Sequence, residues 1–374
     1  MVALTDDLTG QLALASLLAG SGVPAVLQGA ARDDDTVAIV NTRTRDLDSD
    51  LGDAVFRATI SRLCQRRVGR WVKRIDSTLR GPIVSELTAL IELVGATGGV
   101  IAPANPTAGR ITKDGQHYLH GRYIGDLLNL AAQLPNVATV HVGGSFRPAP
   151  GAWWVPDVSR DADLRRIAAA IPPDPDFLVV DSGLLTAALC TAGRTAPDML
   201  SLPRRATAPD RLVALAGLDR PGVLVVQGSA TDLVARQITC LRRHTAGRVE
   251  IMYTPLAGPG DPHLHALADR ATRRLDRADI GLVVVGGGLT AEALVTAAGI
   301  DLATLEVRPA PAPLIGLARV GTGRHAGLLI ATKGGQVGGE DALVDLVGPH
   351  RQVWRRHRFE EFEWQPWKSG FVRT

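Results

Sequence analysis

A short apolar run leads into the densest cluster of charged and hydroxyl side chains in the chain, in the stretch Trp71-Val72-Lys73-Arg74-Ile75-Asp76-Ser77-Thr78-Leu79-Arg80-Gly81-Pro82. Its first five residues predict a β-strand, and the polar residues after them predict a turn before a helix over residues 83–94. Lysine is rare, with four among 41 basic residues, so Lys73 suggests a need for a compact ammonium, as at a phosphate or carboxylate. A solvated strand end followed by a helix cap would explain the stretch without any ligand.

The same order of strand, polar turn and helix recurs through the first half of the chain. Residues 2–5 run into Asp6-Asp7-Leu8-Thr9-Gly10, residues 36–40 end in Asn41-Thr42-Arg43-Thr44-Arg45, and residues 99–102 lead into a Pro- and Gly-rich loop. Ligands of open parallel sheets bind at the carboxyl ends of the strands. We therefore expect these polar turns to converge at one edge of a sheet.

Buried strands that end in glycine- or serine-rich turns dominate the second half. Residues 223–226, 282–285 and 328–332 are followed by Gln-Gly-Ser, Gly-Gly-Gly and Lys-Gly-Gly, respectively. Such a turn at the start of a helix presents free backbone N–H groups to an anion. The pattern predicts anion-binding turns in the second half.

The composition favours a two-domain α/β protein. A chain of 374 residues exceeds one hydrophobic core, and 45% hydrophobic but only 4% aromatic residues indicate buried parallel strands of Val, Leu, Ile and Ala. We place the junction in the Pro- and Arg-rich segment near residue 215. This predicts domains over 1–215 and 216–349 with mainly parallel sheets that face a shared cleft, and an aromatic, basic tail over 350–374. The tail is expected to pack on its own core or on a partner subunit, as in a homodimer.

Several classes of protein are disfavoured by composition. Three widely spaced cysteines argue against a disulfide framework or a zinc module, and a net charge of +3 gives little reason to expect nucleic acid as a partner. Acidic residues near the amino terminus and the lack of a long apolar run predict a cytoplasmic protein without a membrane span. The Walker loop and the G-x-S-x-G hydrolase motif are absent from the sequence.

Two motifs suggest other chemistries. Gly286-Gly287-Gly288-Leu289-Thr290-Ala291 formally matches G-x-G-x-x-A, with Glu306 where a ribose-binding acid would be sought, so an NAD(P)-dependent oxidoreductase is one alternative. However, this fingerprint normally opens the first βαβ unit of its domain, and here it comes late. His263 and His265 could form a metal pair, but neighbouring histidines in a loop are more often ordinary polar residues.

Both sets of turns would have a role if the first half bound an acidic small molecule and the second half bound a nucleotide. Phosphoryl transfer requires positioning, charge neutralisation and usually Mg²⁺, with little covalent chemistry from the protein. Asp7 could accept the proton of an attacking hydroxyl, while Arg45, Lys73 and Arg80 could hold a substrate carboxylate.

The motifs at these turns resemble the signatures of the four-carbon acid sugar kinases, a family once classed by a domain of unknown function. The resemblance extends to about residue 347 and rests on Asp6–Gly10, Thr42-x-x-Arg45, Lys73–Gly81, Ala102–Pro106 with Gly109-Arg110, Gly228-Ser229, Gly287–Ala291 and Thr332–Gly335. It implies an amino-terminal α/β domain that binds a sugar acid and a carboxyl-terminal α/β domain that binds ATP. Phosphate would be placed on a terminal hydroxyl of a tetronate or 3-oxo-tetronate, with ATP and Mg²⁺ as cofactors.

The resemblance also implies a set of site residues. Asp7 and Lys333 would be catalytic. The sugar acid would be bound by Asp6, Arg45, Lys73, Asp76, Ser77, Arg80 and Arg110. ATP would be bound by Ser229, Gly287, Gly288, Leu289, Thr290 and Gly335. No residue is assigned as a metal ligand.

The chain departs from the family pattern at a few positions. Leu289 stands where the family has an aspartate, Gln336 and Val337 stand where a glycine and an aromatic residue are usual, and Asp181 and Leu184 replace glycines. A carboxylate lost near the phosphates would weaken the handling of Mg²⁺ or ATP. A second alternative is therefore a sugar-acid-binding protein with weakened catalysis.

Overall fold

The computed structural model describes residues 1–28, 36–144, 149–192, 220, 222–245, 249–312 and 314–347. The first half contains β1 (Val2–Thr5), α1 (Leu8–Gly20), β2 (Ala25–Leu27), β3 (Val37–Asn41), α2 (Ser49–Leu63), β4 (Trp71–Arg74), α3 (Ile83–Val94), β5 (Gly98–Ala102), β6 (Arg110–Lys113), β7 (Gln116–Leu119), β8 (Arg122–Asp126), α4 (Leu127–Ala132), β9 (Thr139–Val142), β10 (Ala152–Val155), α5 (Asp161–Ala170), β11 (Phe177–Asp181) and α6 (Leu184–Thr191). The second half contains β12 (Gly222–Ser229), α7 (Asp232–Thr245), β13 (Val249–Leu256), α8 (His263–Leu275), β14 (Ile280–Gly286), α9 (Gly288–Ala297), β15 (Leu305–Val307), β16 (Ile315–Val320), β17 (Leu329–Lys333) and α10 (Ala342–Val347).

Eight parallel strands form the first sheet, in the order β2-β3-β1-β4-β11-β5-β10-β9. Strands β1, β3, β4, β5 and β11 are buried along their whole length, as expected for a parallel sheet covered on both faces. All their carboxyl ends lie at one edge. The predicted convergence of the polar turns therefore occurs.

A six-stranded sheet forms the second half, in the order β13-β12-β14-β17-β16-β15. Strands β13, β12, β14 and β17 are parallel, while β16 and β15 add an antiparallel edge. The predicted fold class, α/β with mainly parallel sheets, is confirmed.

A small antiparallel sheet of β6, β7 and β8 follows the Pro-rich loop after β5. Its short strands were not predicted from the sequence. Its first turn is Asp114-Gly115 and its second is His120-Gly121, and all four residues have positive φ. Two-residue turns of this backbone type join the strands of tight hairpins.

Helix α1 lies between the two large sheets and joins their cores. It carries no charged residue, and most of its side chains are buried, from Leu8 to Leu18. On one side it packs on its own sheet, and on the other the backbone N–H of Leu317 in β16 donates to the Ser16 hydroxyl at 2.7 Å. One hydrophobic core cluster therefore includes residues of both halves, such as Leu12 and Val285.

Two predicted features fall on residues outside the described ranges. The junction between residues 215 and 216 and the aromatic tail over 350–374 both lie there. Within the described ranges, no helix is both long enough and apolar enough to cross a bilayer.

Candidate active site

A small enclosed cavity lies where the carboxyl ends of the first sheet meet the loop after β17. It is lined by Thr9, Arg45, Arg74, Asp76, Ser77, Thr78, Arg80, Arg110, Leu314, Gly334, Gln336 and Val337. Its volume of about 20 Å³ corresponds to roughly one water molecule. Four arginines and one aspartate line this cavity, so it suits an anionic ligand.

Arg45 bridges the two consecutive carboxylates that follow β1. Its Nε and Nη2 donate to the two oxygens of Asp6 at 2.8 and 2.7 Å, and its Nη1 donates to Asp7. Burial opposes the charge of Asp6, but Arg45 and then Lys73 outweigh burial and hold the pKa of Asp6 below its usual value. Asp6 and Arg45 therefore stay charged as a fixed pair, and Arg45 lines the cavity.

Asp7 also caps the amino terminus of α1. Its carboxylate accepts from the backbone N–H of Gly10 at 2.7 Å and from the Thr9 hydroxyl at 2.6 Å. The N-cap role fixes the orientation of the carboxylate relative to the helix. The conformation of the Asp-Asp-Leu-Thr-Gly motif thus follows from a helix cap.

Asp76 and Arg80 form a bidentate pair at the end of β4. Nε and Nη2 of Arg80 lie 3.0 and 2.9 Å from the two carboxylate oxygens of Asp76, which also accepts from the Thr78 hydroxyl. Burial would raise the pKa of Asp76, yet Arg80 and Arg45 bring it far below its usual range. Ser77 contributes to the cavity wall, and its carbonyl accepts a hydrogen bond from Nε2 of the buried His117 at 3.1 Å.

Arg74 and Arg110 are the buried cations of the cavity with unused donors. Nε and Nη1 of Arg74 and Nε of Arg110 have no hydrogen-bond partner within the described part of the chain. Arg74 packs against Gly10, where a Cβ atom would lie 2.2 Å from Nη1. Because buried guanidinium N–H groups normally find acceptors, these two residues are the best placed to bind a ligand carboxylate. Arg74 was not among the predicted site residues.

Lys73 does not reach the cavity, contrary to the expectation that it binds substrate. Neighbouring residues of a strand point to opposite faces, and Lys73 points away from Arg74 into the core under α2 and α3. There its Nζ lies 2.8 Å from Glu86 and 5.7 Å from the centre of the Phe56 ring. The side chain is fully buried.

The glycine turns of the second half lie together. A Cβ atom on Gly335 would lie 2.3 Å from the hydroxyl oxygen of Ser229, and one on Gly228 would lie 2.1 Å from that of Thr290. Gly287 has a φ of 97° and precedes α9, which begins at Gly288 without a side-chain cap. The first N–H groups of α9 are therefore available to an anion.

The two halves touch at Asp7 and Gly288. A Cβ atom on Gly288 would lie 2.7 Å from Oδ2 of Asp7, so only glycine allows this approach without a shift of the carboxylate. The same helix contributes Glu292, whose Oε1 accepts from the Leu8 N–H at 3.1 Å and from the Asn41 amide at 3.0 Å. Asp7 thus lies between the cavity and the glycine turn of α9.

Lys333 is a buried ammonium at the end of β17. Its Nζ donates to the carbonyls of Gly334 and Val337 at 3.0 and 3.1 Å, and no carboxylate pairs with it among the described residues. Burial lowers its pKa to about 8. Lys333 therefore shapes the loop over 334–337 and adds positive charge beside Gly335.

The departures from the family pattern have distinct structural outcomes. Asp181 accepts from the N–H groups of Gly183 and Thr186 and from the Thr186 hydroxyl, all within 2.9 Å, so it caps the start of α6. Leu289 lies in the first turn of α9 and leaves that turn without a carboxylate. Gln336 contributes its carbonyl, which accepts from Nη2 of Arg110 at 2.9 Å.

The residues present fit a nucleotide better than a protein-ligated metal. The uncapped helix and the Ser229, Gly287 and Gly335 turns suit phosphate oxygens. Within the described ranges no group of three or more His, Cys, Asp or Glu side chains could hold a metal ion, and His263 is an exposed residue at the start of α8. A Mg²⁺ ion held mainly by phosphates needs only one or two carboxylates from the protein.

Comparison with known proteins gives concordant matches. The family described as "Sugar-binding N-terminal domain" matches residues 1–134. A D-threonate kinase of Bordetella bronchiseptica is 28% identical over an alignment that covers 95% of this chain and 98% of the relative. A D-threonate kinase of Salmonella typhimurium is 32% identical over 126 residues, and a 3-oxo-tetronate kinase of Pectobacterium atrosepticum is 26% identical over 276 residues. These two alignments span 30% and 64% of the relatives' lengths and 32% and 66% of this chain.

The fold comparison agrees. The structure of a Haemophilus influenzae protein of the DUF1537 family superposes with a TM-score of 0.60 at 15% identity, over 92% of this chain and 99% of that chain. At this sequence identity, the similarity shows the fold alone. The matched amino-terminal domain and the kinase relatives support the resemblance to the four-carbon acid sugar kinases, and the shared fold agrees with it.

Proposed function

We propose that the protein transfers a phosphoryl group from ATP to a hydroxyl of a small sugar acid of the tetronate or 3-oxo-tetronate class. The observation that carries the proposal is the contact of Asp7 with Gly288, which sets a carboxylate between an arginine-lined cavity and an anion-binding helix terminus. The kinase names of the relatives support the same reaction. As an ATP-dependent metabolic enzyme, it would act in the cytoplasm.

The sugar acid would bind in the cavity through its carboxylate. Arg74 and Arg110 have buried N–H groups without a hydrogen-bond partner, although Nη1 of Arg74 also lies 3.8 Å from Asp7, and guanidinium forks match carboxylates in geometry. Arg45 and Asp76 are already committed to ion pairs, so they would contact hydroxyl groups of the substrate as donor and acceptor. The cavity of about 20 Å³ is smaller than a four-carbon acid, so binding would require the 334–337 loop to move outward.

The nucleotide would bind at the glycine turns with its phosphates at the start of α9. Ser229, Gly287, Gly288, Thr290 and Gly335 would contribute backbone N–H groups and hydroxyls. Leu289, in the same turn, would contribute only its backbone. ATP with Mg²⁺ would supply the phosphoryl group and neutralise part of its charge.

Asp7 would accept the proton of the substrate hydroxyl. Its carboxylate is held by Gly10, Thr9 and Arg45, so its position is fixed before the substrate binds, and a positioned carboxylate accelerates such a proton transfer. Lys333 would add positive charge on the nucleotide side, where charge develops during transfer.

A sugar-acid-binding protein with weak catalysis is the second candidate. Leu289 removes the carboxylate that the family places in this turn, and Glu292, one turn later, is committed to Leu8 and Asn41. For the oxidoreductase alternative, Glu306 lies on the edge strand β15 and pairs with Arg308 at 2.6 Å, so no observation favours it over the other two.

A thermal-shift screen separates the three candidates. The protein would be mixed with Mg²⁺·ATP, NAD(P) or a panel of tetronates, since a ligand stabilises the state that binds it. The kinase proposal predicts stabilisation by Mg²⁺·ATP and by at least one tetronate. Stabilisation by tetronates alone would favour the binding protein, and stabilisation by NAD(P) alone would overturn the kinase proposal.

A further inference from the structure

Lys73 and Glu86 form a buried ion pair behind the cavity. Their side chains are 1% and 2% exposed, and Nζ of Lys73 lies 2.8 Å from Oε2 of Glu86. Glu86 belongs to the first turn of α3, where the helix dipole favours a negative charge. Neither residue lines the cavity.

The pair connects to the turn that carries Arg45. The second oxygen of Glu86 accepts a hydrogen bond from the Thr44 hydroxyl. That hydroxyl lies 2.7 Å from the Thr42 hydroxyl, which donates to the carbonyl of Thr5 at 3.0 Å. The chain of contacts thus runs from the ion pair to the end of β1.

Two backbone hydrogen bonds complete this connection. The Thr42 N–H donates to the Thr5 carbonyl at 2.8 Å, and the Arg45 N–H donates to the Asp6 carbonyl at 3.2 Å. The turn over 42–45 is therefore attached to the end of β1 and to Asp6 by backbone hydrogen bonds, and to Glu86 by the Thr44 hydroxyl. A shift of Glu86 would move Thr44 and, with it, the adjacent Arg45.

We propose that Lys73 and Glu86 are positioning residues for the sugar-acid site, which act through Thr44 to hold Arg45 against Asp6 and Asp7. This inference rests on the proposed function, because it assigns the pair to the same site. Lys73 anchors the carboxylate of Glu86, and Glu86 anchors the turn. On this view the ammonium of Lys73 serves the buried pair and does not meet the substrate.

The proposal differs measurably from direct substrate binding. Removal of one partner of a buried pair leaves an uncompensated charge, whereas removal of both charges is often tolerated. In the double variant Lys73→Met/Glu86→Gln, the Gln side chain can still accept from the Thr44 hydroxyl. A positioning role therefore predicts rescue by the second substitution, and direct binding by Lys73 predicts none.

The test measures KM and kcat for the best tetronate, its dissociation constant, and the thermal midpoint for the wild type, Lys73→Met, Glu86→Gln and the double variant. Lys73→Met should raise KM at least tenfold with a smaller change in kcat, and it should lower the midpoint. The double variant should recover KM to within about threefold of the wild type. If Lys73→Met does not fold, the double variant alone decides.

A double variant that binds tetronate as weakly as Lys73→Met would overturn the inference. The proposed function would still stand, provided that the wild type binds tetronate. A double variant that regains thermal stability but not KM would also overturn it, because the role would then be structural alone. A wild type that binds no tetronate would instead overturn the proposed function, and the inference with it.

Discussion

Arg45 and Asp7 show how much of the site depends on individual side chains. Arg45 is held by Asp6 and Asp7 together, and Asp7 in turn caps α1 and approaches Gly288. Each of these contacts is short and buried, so a small displacement at one residue is transmitted to the others.

Gly288→Ala should impair catalysis without unfolding the protein. The new methyl group would lie 2.7 Å from Oδ2 of Asp7 and would displace the carboxylate, and a misplacement of this kind can reduce the rate about 100-fold. We expect kcat to fall by about that factor while the thermal midpoint changes by only a few degrees. Steady-state kinetics and calorimetry would measure both.

Gly339→Ala is the matched control, because no atom beyond its two chain neighbours lies within 4 Å of the Cβ position of Gly339. It should leave kcat unchanged. An unchanged kcat in Gly288→Ala as well would show that the approach of Asp7 to α9 is irrelevant to catalysis.

The charge of Lys333 should make ATP binding pH-dependent. Burial lowers its pKa to about 8 from 10.5, so the ammonium is lost as the pH rises through 8, and the dissociation constant of ATP should increase several-fold by pH 9. Lys333→Arg should flatten this profile, because arginine stays charged. Isothermal titration of ATP from pH 7 to 9.5 measures it, and a flat wild-type profile would contradict the role of Lys333.

Stability should change in the opposite direction over the same range. The unfolded chain binds the proton of Lys333 more tightly than the folded chain does, so the free energy of unfolding should rise with pH between about 8 and 10.5. Lys333→Met should lack this contribution in urea unfolding.

The sequence predicted that most of these residues lie at one edge of the sheet. It did not show towards which face of the sheet each side chain points. Asp7, Arg45, Asp76, Arg80 and Arg110 meet because parallel strands end at one edge. Lys73 and Arg74 are adjacent, and alternation along a strand requires them to face opposite sides. Which side carries the cavity depends on the helices that pack there, and the sequence of β4 alone does not contain that information.

At the scale of elements, the sheet of β6, β7 and β8 supports the cavity from one side. His117 in β7 is fully buried. Its Nδ1 lies 3.1 Å from the Thr112 hydroxyl, and its Nε2 donates to the carbonyl of Ser77 at 3.1 Å. The small sheet is thus attached to the turn after β4. Because Ser77 and Arg110 both line the cavity, its shape depends on this attachment.

His117 should make this part of the fold sensitive to acid. Burial lowers its pKa to about 4 from 6.5, so the folded state resists a proton that the unfolded chain accepts. The stability is complete above pH 6.5 and should fall by on the order of 2–3 kcal/mol as the pH drops to about 4. In urea unfolding at pH 4 to 7, the free energy of unfolding of His117→Gln should fall less steeply with decreasing pH. The difference in slope should correspond to at most one proton taken up on unfolding. Equal slopes in both proteins would contradict this account.

The signal for this sheet was present in the sequence. Asp114-Gly115 is a two-residue hairpin turn of the kind that joins short strands. The strands beside it have only four or five residues and carry weak alternation, so periodicity did not reveal them.

At the scale of the whole molecule, the two sheets share a core and a site. Helix α1 is apolar on all sides, and such a helix has no periodicity from which a second packing face could be inferred. Its burial between the sheets therefore became evident only from the structure. Arg110 makes a second connection, since its Nη2 donates to the carbonyl of Gln336 across the cavity.

Arg110→Met should reduce the coupling between the two substrates. Sugar-acid binding that moves the 334–337 loop would also change the ATP site, and such coupling is reciprocal. We expect wild-type ATP affinity to change at least fivefold when tetronate is present, and the factor to fall towards one in Arg110→Met. Arg80→Met is the control, because Arg80 pairs with Asp76 and is half exposed; it should weaken tetronate binding but keep the coupling. Full coupling in Arg110→Met would contradict the link.

The release of ADP from Mg²⁺·ATP in the presence of a tetronate panel tests the central claim most directly. We expect ADP release that depends on at least one tetronate or 3-oxo-tetronate and that falls about 100-fold in Asp7→Asn, while Gly339→Ala behaves as the wild type. Binding of both ATP and tetronate without any ADP release over hours would contradict the kinase assignment and leave a sugar-acid-binding protein.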